Sequence, residues 1–161
     1  MQITFNLPHV FRPPRRASEL NQLHIDNAYA LRALLDCLVN LNLAHLRYHS
    51  CKPLYQSGVV YGRTVWWEPI PALYMRQYGD CKSLATALIA EYRMSGIAAN
   101  PVFRWVRNGG DGHDFHILVQ TDSGYEDPSK VLGMGKDENA HFYRTDGSVM
   151  SWEPSVGFHT L

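Results

Sequence analysis

The chain has 161 residues, of which 45% are hydrophobic and 19% charged, and its formal net charge is zero. That length supports one domain with a substantial core, and the composition excludes a disordered chain. The charge balance argues against a binder that holds nucleic acid by bulk charge, and no nucleic-acid partner is expected.

Residues 1–17 read as an extended arm. Ile3, Phe5 and Leu7 alternate with polar residues, and Pro8, Pro13 and Pro14 forbid a helix. The basic "RPPRR" within the arm reads as a linker or a short contact with a partner. The N-terminus has no continuous apolar stretch after a basic start, so no secretory signal is read there and a cytoplasmic location is expected.

Ser18 is placed to cap a long helix running to about His45, with Leu20, Leu23, Leu31, Leu34, Leu35, Leu38 and Val39 at helical spacing. Its most apolar part is interrupted by Arg32, Asp36, Asn40 and Asn42, so no membrane span is expected. Cys37 falls inside this helix, and Cys51 follows in the turn-like "RYHSCKP". His45, His49 and Cys51 suggest a metal site only weakly, because no fourth ligand stands at a supporting spacing.

The segment "QSGVVYGRTVWWEPIPALYMRQYG" predicts a structured loop. A short strand is expected at Val59–Tyr61 or Thr64–Trp67, and a short helix around Ala72–Gln77. Asp80 to Ser95 is the second firm helix, with Leu84, Ala87, Leu88 and Met94 on or near one face and Gly96 ending it. Strands follow at Asn100–Arg107 and His113–Thr121, joined by the glycine-rich "NGGDG". The turn "DSG" then leads into a short strand ending "YEDP", and a last hairpin is expected around Tyr143–Trp152. Helices followed by an antiparallel meander predict an α+β fold in a single domain over 1–161.

The three cysteines are odd in number and show no CxxC spacing, so a disulfide framework is not suggested and a reducing compartment is. Cys81 opens the second helix. Unpaired N–H groups and the helix dipole favour negative charge there, which would lower the thiol's pKa. A buried structural cysteine is the alternative. A base and a group to orient it are offered by "HDFHILVQTDSGYEDPS", where His116 lies in one strand and Asp127 in the returning one. A turn centred near Ser123 places Asp127 beside Val119 or Gln120, so a bulge, offset or bend is needed to reach His116. In an extended strand His113 and His116 face opposite sides, so one of them serves, and the strand context favours His116. A zinc site of Cys81, His113 and His116 is the rival within the same residues, but H-x-x-H in a strand splays the ligands apart.

The order "YGDCKSLATAL", "HILV", "YEDPS" resembles the transglutaminase-like superfamily of papain-fold enzymes. The intervals, 35 residues from Cys81 to His116 and 11 from His116 to Asp127, look like its compact bacterial and phage members. The resemblance covers about Trp66 to Ser129. It implies a papain-like α+β core in which a catalytic helix packs on an antiparallel sheet, here with an additional long N-terminal helix. It also implies Cys81 as nucleophile, His116 as general base and acid, and Asp127 as the group that orients the imidazole. The Cys81 N–H would form one arm of an oxyanion hole, with Trp67 or Gln77 as candidates for the other.

From this resemblance a cysteine peptidase or amidase is expected, acting on a protein or peptide substrate through an acyl-thioester, with no cofactor and no metal. A protein-glutamine acyltransferase with the same triad is the alternative, and a non-catalytic binding or structural module of the same fold is the alternative from another class. The aromatic-rich loop Tyr61–Trp67 and the turn Gly109–Gly112 flank the triad in sequence and are expected to shape a cleft.

Overall fold

The leucine-rich periodicity forms one long helix, α1 (Ala17–Tyr48), in the computed structural model, which describes residues 17–107, 113–135 and 149–151. Ser18 therefore lies inside α1 and does not cap it, and the helix runs past His45. The chain divides within α1. Leu35–Trp152 is one compact unit, and the part of α1 up to Leu34 belongs to another. In the larger unit Leu35, Leu38 and Val39 are buried, as the apolar stripe requires. Asn42, a polar interruption in the sequence, is also fully buried. Its Oδ1 accepts from the Ile70 N–H at 2.7 Å and so satisfies the start of the next helix.

That helix is α2 (Ile70–Arg76), which begins earlier than its two prolines suggest. Pro69 is extended, and Pro71 occupies the first turn, where a missing N–H costs nothing. Two short strands flank it, β1 (Val60–Tyr61) and β2 (Tyr78–Gly79), which pair in parallel as Val60 with Tyr78 and Tyr61 with Gly79. The first of the two expected strand positions is thus occupied, and residues 64–67 form no strand. Of the adjacent tryptophans, Trp66 is exposed and Trp67 half-buried.

The second firm helix is α3 (Cys81–Met94). Every residue from Lys82 to Ala90 is buried, so the expectation of a single apolar face is too narrow. Ser83, Ala85, Ala87 and Ala90 are small enough to admit neighbours on all sides, and α2, the sheet and a short later helix pack against it. Met94, expected on the buried face, is exposed near the end. Gly96 follows at a positive φ of 79° and terminates the helix as its type predicts.

The larger sheet is antiparallel, with its described strands in the order β5 (Gly124–Glu126), β4 (His113–Thr121), β3 (Ala99–Arg107), β6 (Val149–Ser151). Strand β3 (Ala99–Arg107) pairs along its whole length with β4 (His113–Thr121), from Ala99 opposite Thr121 to Arg107 opposite His113. Strand β5 (Gly124–Glu126) continues the meander, and β6 (Val149–Ser151) pairs with β3 from its other edge. Phe103, Ile117, Leu118 and Val119 are buried. Asp127, expected within the returning strand, instead caps a short helix, α4 (Pro128–Val131), and its carboxylate accepts from the Lys130 N–H at 3.2 Å. Pro128 at the first helical position makes that stop and restart favourable. The arm over residues 1–16, the turn at 108–112 and the remainder of the last hairpin fall outside the described residues. No described helix is long and apolar enough to cross a membrane.

Candidate active site

Cys81 is the first residue of α3, directly after the extended Asp80, which makes no side-chain capping bond. The Asp80 carboxylate pairs instead with the Lys82 ammonium, which also donates to the Thr64 carbonyl at 2.7 Å. Two further bonds tie the same loop to this end of the helix: Gly62 N–H to Gly79 O at 2.9 Å, and Glu68 N–H to Ser83 Oγ at 3.1 Å. Tyr61, Arg63, Thr64 and Val65 of this loop thereby line an open groove of about 480 Å³ together with half-buried Cys81.

His116 is 2% exposed, and its Nε2 lies 3.0 Å from both carboxylate oxygens of Asp127. The register explains how they meet. Thr121 pairs with Gly124 and Val119 with Glu126, so the turn contains only Asp122 and Ser123. Extending that ladder by one step sets Asp127 opposite Leu118, not Val119. A shift of one residue moves a side chain to the other face of a strand, and Leu118 shares its face with His116. Asp127 is therefore a diagonal neighbour of His116, within reach without a bulge. Burial works to raise the Asp127 carboxyl, but the hydrogen bond and charge of His116, with help from Lys130, outweigh it and hold the group below the usual carboxylate range. The preceding residue is fixed too. Glu126 accepts from the hydroxyls of Tyr55 and of Tyr92, the latter on α3, so the helix that carries the thiol also anchors the strand leading to Asp127.

Cys81 and His116 lie on packed elements, α3 and β4, but no hydrogen bond joins His116 Nδ1 to the Cys81 sulfur among the described residues. The backbone N–H of Ile117, the residue after His116, acts on the Cys81 sulfur in the direction that favours its thiolate. With Nε2 turned to Asp127, Nδ1 is the imidazole nitrogen suited to exchange a proton with the thiol. The expected lowering of the thiol's pKa is overturned. Burial pushes Cys81 up to about 12, the Asp80 charge pushes the same way, and the Ile117 N–H and Lys82 oppose them without prevailing. A helix terminus favours the thiolate only where nothing outweighs it, and here burial and the neighbouring Asp80 carboxylate do. The resting thiol is protonated at neutral pH.

The other sequence candidates are placed as follows. The Trp67 ring lies under Lys82, with Nζ 5.8 Å from its centroid. Gln77 ends α2 in the left-handed region at φ 65°, and its side-chain amide donates to the Tyr74 carbonyl. His113 opens β4 opposite Arg107. Cys51 Sγ lies 3.3 Å from His45 Nε2, and the His45 and His49 rings stack at 4.5 Å. Among the described residues no group of three His, Cys, Asp or Glu is arranged to hold a metal ion.

Tyr61 and Arg63 were not singled out by sequence motif, yet both line the groove with Cys81. Their signal was the aromatic loop that contains them. Gly109–Gly112, the other segment expected to shape the cleft, is outside the described residues. Set against family models, curated proteins and solved structures, the chain matches none.

Proposed function

We propose that the protein is a cysteine-dependent amide hydrolase, a peptidase or amidase, with a transglutaminase-like core and a Cys81–His116–Asp127 triad. The observation that carries this reading is the imidazole of His116, on a strand that packs against the helix opened by Cys81, bonded to Asp127. Each of the three residue types has a structural role alone; the bond of Asp127 to His116, on a strand packed against the helix whose first residue, Cys81, lines a groove, supports a catalytic one.

Because the resting thiol is protonated, its activation is by general base. The Cys81 S–H gives its proton to His116 as the sulfur attacks the substrate carbonyl carbon, and the C=O electron pair moves onto oxygen. Asp127 holds the ring and stabilises the imidazolium that forms. Collapse breaks the C–N bond, His116 protonates the departing amine, and an acyl-thioester remains on Cys81. Water, deprotonated by the same histidine, then attacks the thioester, and the product acid and free thiol are released. The first helical turn of α3 places the Cys81 N–H, which has no intrahelical acceptor, where it can donate to the developing oxyanion.

The test is a peptide mixture incubated with wild type and with Cys81→Ala and read by mass spectrometry. New C-termini produced by wild type alone are expected. A Cys81-dependent amine adduct without new C-termini would convert the reading to an acyltransferase. Identical product lists for the two proteins would remove it.

A further inference from the structure

The groove holds an arrangement that the triad does not use. Tyr61, on β1, and Arg63 two residues later line the same groove as Cys81. Burial and the charges of Cys81 and Asp80 push the Tyr61 phenol up to about 12, and the neighbouring Arg63 guanidinium opposes them, so the phenol keeps its proton and can share it in a hydrogen bond. A cation beside the phenol oxygen polarises the O–H. The influence of Cys81 and Asp80 places the hydroxyl in the electrostatic neighbourhood of the thiol.

The position is built, not incidental. Tyr61 is fixed by its ladder pairing with Gly79 and by its own N–H to the Leu132 carbonyl at 2.8 Å. Gly79 stands only two residues before Cys81, so β2 relays the position of β1 directly to the start of α3. The following Gly62 admits the Tyr78 ring, which would lie 2.9 Å from a Cβ there. Of the two residues expected to complete an oxyanion hole, Gln77 spends its amide on Tyr74, and Trp67 presents its ring face to Lys82.

We propose that the Tyr61 hydroxyl, polarised by Arg63, is the second oxyanion donor, acting with the Cys81 N–H on the tetrahedral intermediate. This rests on the amide-hydrolase reading. Tyr61 is then a catalytic residue, and Arg63 a positioning residue that acts through it. Each cycle leaves both unchanged: the phenol donates a hydrogen bond to the oxygen bearing the C=O electron pair, and the bond lapses when the carbonyl re-forms.

The experiment compares Tyr61→Phe, Arg63→Gln and the double variant with wild type and Cys81→Ala, using a peptide that wild type cleaves. Tyr61→Phe is expected to lose on the order of 10²–10³-fold in kcat with little change in KM, as removal of one oxyanion donor does. Arg63→Gln is expected to lose about tenfold, and nothing further in the Tyr61→Phe background, because its effect passes through the phenol. A leucine-rich tripeptide aldehyde, whose adduct with Cys81 carries the same oxygen, is expected to bind Tyr61→Phe at least about tenfold more weakly. Wild-type kcat and aldehyde affinity in Tyr61→Phe, with Cys81→Ala inactive, would overturn the role of Tyr61 and leave the hydrolase standing. A change in KM alone would also overturn it, as the mark of a substrate contact. Absence of any Cys81-dependent cleavage by wild type would overturn both.

Discussion

The Nε2 of His116 lies 3.0 Å from both carboxylate oxygens of Asp127, and the N–H of the next residue, Ile117, acts on the Cys81 sulfur in favour of its thiolate. One strand therefore carries both a main-chain group that acts on the thiol and the imidazole proposed as its base. A helix N-terminus alone would not have produced this geometry, nor does it produce a resting thiolate.

The first prediction concerns that thiol. At neutral pH, a group pushed up to about 12 carries on the order of a thousandfold less thiolate than one near its ordinary value. Iodoacetamide should modify Cys81 in the folded protein more slowly than in the urea-unfolded chain, and the folded rate should keep rising beyond about pH 9. Asp80→Asn removes one of the two main upward influences and should speed the reaction several-fold at about pH 8. A rate that is flat between about pH 6 and 9 would contradict this account.

Asp127→Asn keeps the shape but accepts poorly from the imidazole, and should lower kcat by about 10²–10⁴-fold while leaving the fold intact. Its effect on stability has a defined sign. The carboxyl is held below its usual range, so its ionised form stabilises the fold above the unfolded-state value, and the contribution is lost as pH falls through the lower folded value. The difference in urea midpoint between wild type and Asp127→Asn should be largest near neutrality and close in strong acid. A difference that widens on acidification would reverse the assignment.

Two glycines near the site should fail for different reasons. Gly124 has φ 125° and open space around a Cβ, so Gly124→Ala meets backbone strain alone, of about 1–3 kcal/mol. Gly79 shows no such φ, but a Cβ there would come within 2.5 Å of Leu73 Cδ1 in the core, so Gly79→Ala is a packing defect costing about 1–3 kcal/mol. Denaturant midpoints measure both. Leu73→Ala should relieve the second substitution and leave the first unchanged, and rescue of Gly124→Ala by that change would refute the distinction.

Much of the fold follows from local signals. The limits of β4, Asp80 at the head of α3 and Gly96 at its foot can be read from residue type, because pleat, cap and positive φ are local matters. The register of the β4–β5 hairpin cannot. "DSG" does not declare whether Gly124 belongs to the turn or to the strand, and that one residue decides whether Asp127 shares a face with His116. The start of α2 was obscured because Pro69 and Pro71 read as breakers, whereas one precedes the helix and the other lies in its first turn. The raised thiol pKa was hidden for another reason: it depends on how deeply tertiary packing encloses the sulfur beside Asp80. Tyr61 belongs to the same class, since only the parallel pairing of β1 with β2 brings it to the groove.

The two-residue turn at Asp122–Ser123 has a consequence for how the protein is made. During synthesis the cysteine leaves the ribosome well before the histidine, and the aspartate emerges last of the three. Until the hairpin closes, Asp127 has no fixed relation to His116. On the proposed reading, a chain caught at that stage holds its cysteine and its histidine but lacks the group that orients the imidazole. Assembly of the site therefore waits on the docking of three residues of β5 against β4.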